Sequence, residues 1–279
     1  MQTESAEHAP IPEAREWLAA CAGLRDGLHR VTIGASRAIA KVARASPSGP
    51  LEADARGLKR LRAARALPVP AILARADGVL VLGDLGHGRP QRDDWIRAGE
   101  GLARLHRVAA ESFGSDHEGW CGASPQDNTR DDDGFRFFAT RRLLPQVRRA
   151  RDAGLLERQL AARIERIAAH LEGRMPTMPP RLVHGDLWIG NLHPCRDGAL
   201  ALIDAGAVHD GWAEGDLAML TLFSAPPDAF FAAYETASDT PRDWRERAPL
   251  HNLYHLLNHL NLFGRGYLEA LRRAVDRIG

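Results

Sequence analysis

Two short β-like runs, Val31–Ile33 and Ala38–Val42, flank the tetrapeptide IGAS, and this pairing constrains the first 85 residues more than any other feature. IGAS supplies hairpin-type turn residues, so the two runs read as antiparallel neighbours. Residues 51–67 then place Leu51, Ala55, Leu58 and Leu61 on one helical face, and PVP (68–70) ends that helix, because proline cannot extend it. AILARADGVLVLGDL (71–85) adds a strand, a turn around Asp77-Gly78 and a strong apolar strand, Val79–Leu82. The order strand, strand, helix, strand, strand describes a small antiparallel sheet carrying one helix. A helix at 13–24 and a polar, proline-bounded tail at 1–12 precede it, and SPSGP (46–50) reads as a loop.

The pattern changes after Gly86–Pro90. Residues 93–109 read as a helix with aspartates at its start, where the helix dipole favours negative charge. A polar loop (114–134), helices at about 135–151 and 153–172, and a strand–loop–strand follow. From Glu214 the chain reads as helical apart from loops at 224–227 and 238–249. The fold class expected is α+β in two lobes, residues 1–86 and 87–279, with the boundary near Leu85–Pro90.

The strand–loop–strand is RLVHGDLWIGNLHPCRDGALALID, Arg181 to Asp204. It gathers three oxygen-bearing side chains around one space, the set that phosphoryl transfer from ATP requires. Asp186 would orient an attacking hydroxyl and accept its proton. Asn191 and Asp204 would hold Mg²⁺, which takes hard oxygen ligands. Lys41, in the second run of the hairpin, can reach triphosphate oxygens if a helix carboxylate steadies it; the first turn of the 51–67 helix offers Glu52 and Asp54.

LVHGDLWIGN, ALID, EGDLAMLTLF (214–223) and PLHNLYHLLNHLNLFGRGY (249–267) together resemble the fructosamine kinase, or ketosamine-3-kinase, family, within the aminoglycoside-phosphotransferase group of protein-kinase-like enzymes. The resemblance runs from about residue 13 and is strongest after residue 95. It implies a two-lobed protein-kinase-like fold, ATP and Mg²⁺ as cofactors, and a ketosamine acceptor, free or on a glycated protein lysine. It implies Asp186 as catalytic aspartate, Asn191 and Asp204 as metal ligands, and Lys41 as the phosphate lysine, paired with Asp54. Gly83, Asp84 and Leu85 match the hinge whose backbone receives adenine. Asp216 matches an acid that supports the catalytic loop through His184 or its backbone, and Trp188 lies where a sugar ring would stack. The chain departs from the family pattern in having Asp54 for the usual glutamate, Ala205-Gly206 for Pro-Ala, Gly83-Asp84 for an acid–aromatic pair, and Ala213 where a basic residue is expected. In place of a glycine-rich phosphate loop, AGLRDG (22–27) carries only Gly23 and Gly27.

His251, His255 and His259 recur at four-residue steps and share a helix face. They read as a metal stripe, or as packing and sugar contacts, with His255 and His259 as substrate candidates. Trp188 alone reads equally as core. QDN (126–128) reads as acceptor-pocket lining or plain loop, and the arginines of 141–151 as a solvated face. Lys plus Arg is 37 against 36 acids, which gives no electrostatic case for nucleic acid. Three widely spaced cysteines, Cys21, Cys121 and Cys195, argue against a disulfide framework. No stretch approaches a membrane span, and the N-terminus lacks signal-peptide features, so a cytoplasmic setting is expected. Three functions fit: a ketosamine kinase, a kinase of another acceptor (an aminoglycoside, a choline-like alcohol or another sugar), or a pseudokinase-like binding module.

Overall fold

The computed structural model describes residues 12–45 and 49–279; the expected N-terminal tail falls almost entirely outside them, as does most of the SPSGP loop. The elements in chain order are α1 (Ala14–Ala20), β1 (Gly27–Ile33), β2 (Ser36–Val42), α2 (Gly49–Ala64), β3 (Ile72–Ala76) and β4 (Val79–Gly83). The four strands form one antiparallel sheet in the order β1-β2-β4-β3. Its β1–β2 connection is the two-residue turn Gly34-Ala35, closed by Ile33 opposite Ser36. Gly34 at φ +58° takes the left-handed position that such a tight hairpin needs. Trp17 and Cys21 pack beneath this sheet on Val31, Ala38, Ala40 and Val81.

The second part comprises α3 (Arg92–Leu105), the hairpin β5 (Gly119–Cys121) and β6 (Ser124–Gln126), α4 (Gly134–Phe137), α5 (Leu144–Asp152), α6 (Arg158–Ala169), β7 (Arg181–Val183), β8 (Leu192–Pro194), β9 (Leu200–Leu202), β10 (His209–Gly211), α7 (Ala213–Leu220), α8 (Asp228–Ala237), α9 (Trp244–Phe263) and α10 (Leu268–Ile278). A single π-helical turn, Phe138–Leu143, joins α4 to α5. The two-lobed, protein-kinase-like α+β architecture is thus present. Leu58 and Leu61 of α2 share a core with Leu102, Leu202 and Leu217, which ties the sheet's helix to the helical part.

Three local expectations differ. The 114–134 segment is not all loop: the β5–β6 hairpin lies inside it. α9 starts at Trp244, before Pro249, rather than near residue 250. Trp244 is fully buried against Phe231, and Arg247 binds the buried Glu214, so tertiary contacts hold the early turns despite the proline. Arg142 is not on a solvated face. The π-turn carries it inward, where it donates to the Asn128 side chain and the Asp127 carbonyl and stacks 4.5 Å over Phe137. No helix among the described residues is long and apolar enough to cross a membrane.

Candidate active site

β7, paired antiparallel to β10, delivers the chain to His184. Gly185 follows at φ +81°, and a Cβ there would lie 2.3 Å from the Ala207 carbonyl oxygen, so only glycine passes. Asp216, in the first turns of α7, accepts the His184 N–H at 2.7 Å and the Gly185 N–H at 2.8 Å, and lies 3.2 Å from His106 Nε2. Burial pushes the Asp216 carboxyl up, but the His106 contact and the amide donors outweigh it and leave it below its ordinary value. The His184 ring donates to the Ile203 carbonyl at 2.9 Å, linking the loop to the strand that ends at Asp204. Asn191 Nδ2 donates to the Asp186 carbonyl at 2.8 Å, which turns its amide oxygen away from that bond.

Across the cleft, Lys41 on β2 binds Asp54 at 2.6 Å and also contacts Asp204. Burial pulls the Lys41 ammonium down, but the two carboxylates outweigh it and hold its pKa above the ordinary value. Asp54 also accepts the Ala205 N–H at 2.8 Å, so one carboxylate ties the lysine to the backbone after Asp204. Glu52, the other acid considered, points to Arg56 instead. The short Asp54 side chain reaches because α2 sits very close to that backbone: a Cβ at Gly57 would lie 1.8 Å from the Ala205 carbonyl oxygen. Asp204 adopts left-handed φ/ψ (57°, 56°), a strained position for a non-glycine residue.

Two cavities meet at Asp186. The first, about 270 Å³, is lined by Lys41, Asp54, Asn191, Asp204 and Trp120. The second, about 420 Å³, is lined by Cys121, His259, Phe263 and Tyr267 among others. Gly122, Asp186 and Trp188 border both. Burial holds the Asp186 carboxyl above the usual carboxylate range. His255 lies 3.9 Å from it, with Nδ1 buried and without a hydrogen-bond partner; burial, then His259, pull this imidazole down to about 3, so it is neutral. Trp188 is 41% exposed and folds over Gly190, so it is no core residue.

The histidine row does not act as a metal stripe. His251 bonds Glu214, His255 faces Asp186, and His259 donates to the His255 carbonyl and lines the larger cavity. QDN belongs to the interior: Gln126 and Asn128 are buried, and Asn128 receives Arg142. At the expected hinge, Gly83 N–H donates to Ala71, Asp84 N–H to Arg37, and the Leu85 carbonyl accepts from Arg196. AGLRDG runs in next to Lys41, since Gly27 pairs with Val42 and Leu28 with Lys41. It is the turn from α1 into β1, where Asp26 receives the Arg44 and Ala45 amides. Sequence reasoning missed Gly57, Trp120 and the aromatic cavity lining of Phe223, Phe263 and Tyr267. A glycine inside a helix was the available signal for Gly57, because it costs about 1 kcal/mol unless something needs the space. Trp120 had none.

The sequence profile of the fructosamine kinase family matches residues 19–278. A Synechocystis protein provisionally named a ketoamine kinase is 36% identical over 231 residues, covering 81% of this chain and 77% of its own. A Thermus thermophilus protein with the same provisional name is 33% identical, covering 86% and 87%. The crystal structure of a Thermobifida fusca protein, provisionally assigned as a fructosamine-3-kinase, superposes with TM-score 0.85 at 34% identity over 90% of this chain and 88% of that one. The ternary complex of the aminoglycoside phosphotransferase APH(2'')-IIa with streptomycin and ATP shares the fold, with TM-score 0.62 at 15% identity over 96% and 97%. With the profile spanning all but the first 18 residues and the last, this chain belongs to the fructosamine kinase family.

Proposed function

We propose that this chain is an ATP-dependent kinase that phosphorylates a sugar hydroxyl of ketosamines, fructosamine or ribulosamine, free or on a glycated protein lysine, as a step in deglycation. The observation that carries this reading is the position of Asp186 on the wall shared by two cavities, one lined by a lysine and Mg²⁺-type oxygen donors, the other by aromatic rings. Mg-ATP, when bound, supplies the phosphoryl group and the divalent charge that offsets its oxygens.

The oxygen-only pair Asn191 and Asp204 suits magnesium, and Lys41 is placed to meet phosphate oxygens. Leu85, at the end of the 1–86 lobe, offers its N–H to adenine. In the larger cavity the acceptor hydroxyl approaches Asp186, whose carboxylate takes its proton as the oxygen attacks phosphorus and ADP leaves. A carboxylate pushed up by burial is a stronger base than an exposed one. Trp188 offers a ring face to the sugar. His255 is buried and lines neither cavity, so its Nδ1, 3.9 Å from Asp186, stands behind that carboxylate and acts on the acceptor only through it.

The test is ADP release from Mg-ATP with a panel of ketosamines. Release with fructosamine or ribulosamine, abolished in Asp186→Asn, supports the reading; a panel left untouched rejects it. A nucleotide thermal shift separates a kinase from a pseudokinase-like module, because Mg-ATP binding raises the melting temperature by mass action.

A further inference from the structure

Five large apolar side chains are exposed among the described residues: Leu28, Val108, Trp188, Phe223 and Phe263. Three of them, Trp188, Phe223 and Phe263, line the same 420 Å³ cavity beside Asp186. Scattered exposed apolar residues need no explanation, but a cluster rimming a cavity marks a contact surface. The cluster is built, not incidental. His259 is its hub, fixed by its Nδ1–H donating to the His255 carbonyl at 2.7 Å. Around it stand Phe223, Phe263 and Tyr267, with ring centres at 5.1, 5.4 and 5.0 Å. Gly264, at φ +84°, ends α9 directly after Phe263 and turns the chain so that Tyr267 returns to within 6.0 Å of that ring.

The cavity's charge narrows the occupant. No lysine or arginine lines it, and Asp186 is its one acid. A polyamine held by several carboxylates finds no such set here, and a stem carrying its own carboxylate meets no cation. Aromatic faces instead attract a single cation and its methylenes. Phe223 and Phe263, 45% and 65% exposed, lie where the cavity opens to solvent.

Resting on the ketosamine reading above, we propose that Phe223, Phe263 and Tyr267 form a shelf that selects the nitrogen substituent of the acceptor. It receives the protonated amine and the alkyl stem of a glycated lysine side chain while the sugar sits at Asp186. The open end lets the stem lead out to a peptide backbone, so a protein-bound lysine adduct is accommodated.

The experiment compares kcat/KM for one sugar carried on three amines: α-blocked lysine through its ε-nitrogen, methylamine, and glycine. Wild-type protein prefers the lysine adduct to the methylamine adduct about five-fold, through KM, and disfavours the glycine adduct. The Phe223→Ala/Phe263→Ala double variant brings the lysine-to-methylamine ratio close to one. Phe263→Leu, which keeps apolar area without a ring, falls between. Because the readout is a ratio within one protein, a general loss of folded enzyme does not move it. A wild-type ratio near one, or a ratio unchanged in the double variant, overturns the shelf alone. A wild-type protein that phosphorylates none of the three overturns the acceptor class and the shelf with it.

Discussion

Gly57→Ala is the smallest change that tests how the site is assembled. The added methyl carbon would lie 1.8 Å from the Ala205 carbonyl oxygen and 2.8 Å from its carbon. Ordinary contact begins at 3.4 Å, so α2 and the Asp204–Ala205 backbone must separate by well over 1 Å. Asp54 lies three residues earlier on the same helix. Its bonds to Ala205 N–H (2.8 Å) and Lys41 (2.6 Å) have no slack for such a shift. Overpacking of this kind costs about 1–3 kcal/mol, whereas alanine in a helix interior gains about 1 kcal/mol over glycine. The obstructing atom is backbone, which yields little, so the upper end of that cost applies and the net loss of stability is about 2 kcal/mol or more, roughly 4–8 °C in melting temperature. Activity falls much further, because displacing a reacting constellation by about 1 Å costs on the order of a hundred-fold. The assay is coupled ADP release beside a melting curve, with Gly23→Ala, which meets nothing within 4 Å, as control. A Gly57→Ala protein with full kcat/KM and unchanged melting would refute the argument that close approach of α2 is what lets a short carboxylate serve Lys41.

Asp186→Asn loses about a hundred- to ten-thousand-fold in kcat while the Mg-ATP thermal shift persists; loss of that shift would place Asp186 in nucleotide binding instead. In the wild type the base works ionised, so kcat/KM falls as pH drops through a pKa raised by burial, and the acid limb sits above pH 3.8. A limb at or below that value contradicts the buried-base reading. Lys41→Met raises KM for ATP at least ten-fold, on the order of one charge-assisted contact, as read from initial rates against ATP. Glu214→Gln takes the buried carboxylate from the Arg247 guanidinium, which keeps Asp243, and costs about 1–3 kcal/mol at neutral pH, measured by urea denaturation. Burial pushes the Glu214 carboxyl up, but Arg247 and His251 outweigh it and hold it below 4.5. The stabilisation is therefore present above 4.5 and lost as pH falls through the depressed value, so the gap between variant and wild type closes in acid. A gap that widens there is the contrary result.

The sheet and the strand–loop–strand form of 181–204 were legible because both rest on local signals. Alternation, turn glycines and proline breaks marked the strands, and the spacing of Asp186, Asn191 and Asp204 survives in any fold that keeps those strands. What stayed hidden depended on contacts between distant segments. Arg142 reads as a surface arginine until the π-turn carries it inward to Asn128. Residues 244–249 read as part of a loop, yet Trp244 and Arg247 hold them helical from outside. Glu52 and Asp54 lie two positions apart on α2 and so face different ways; the resemblance favoured Asp54, and what its short side chain could reach depended on the close approach at Gly57. Phe223 and Tyr267, 44 positions apart, become neighbours only when α9 and α10 are in place.

The register of the β1–β2 hairpin also has a thermodynamic consequence. Lys41 pairs with Leu28, at the end of the hairpin away from the two-residue Gly34-Ala35 turn, so the amides of that turn lie too far off to wrap a triphosphate held by the lysine. On the function proposed above, the grip on nucleotide falls largely on the ammonium of Lys41 and on whatever divalent charge Asn191 and Asp204 would hold. Forces of that kind are ionic and reach only about 8 Å at physiological salt. Nucleotide affinity in this chain is accordingly sensitive to ionic strength.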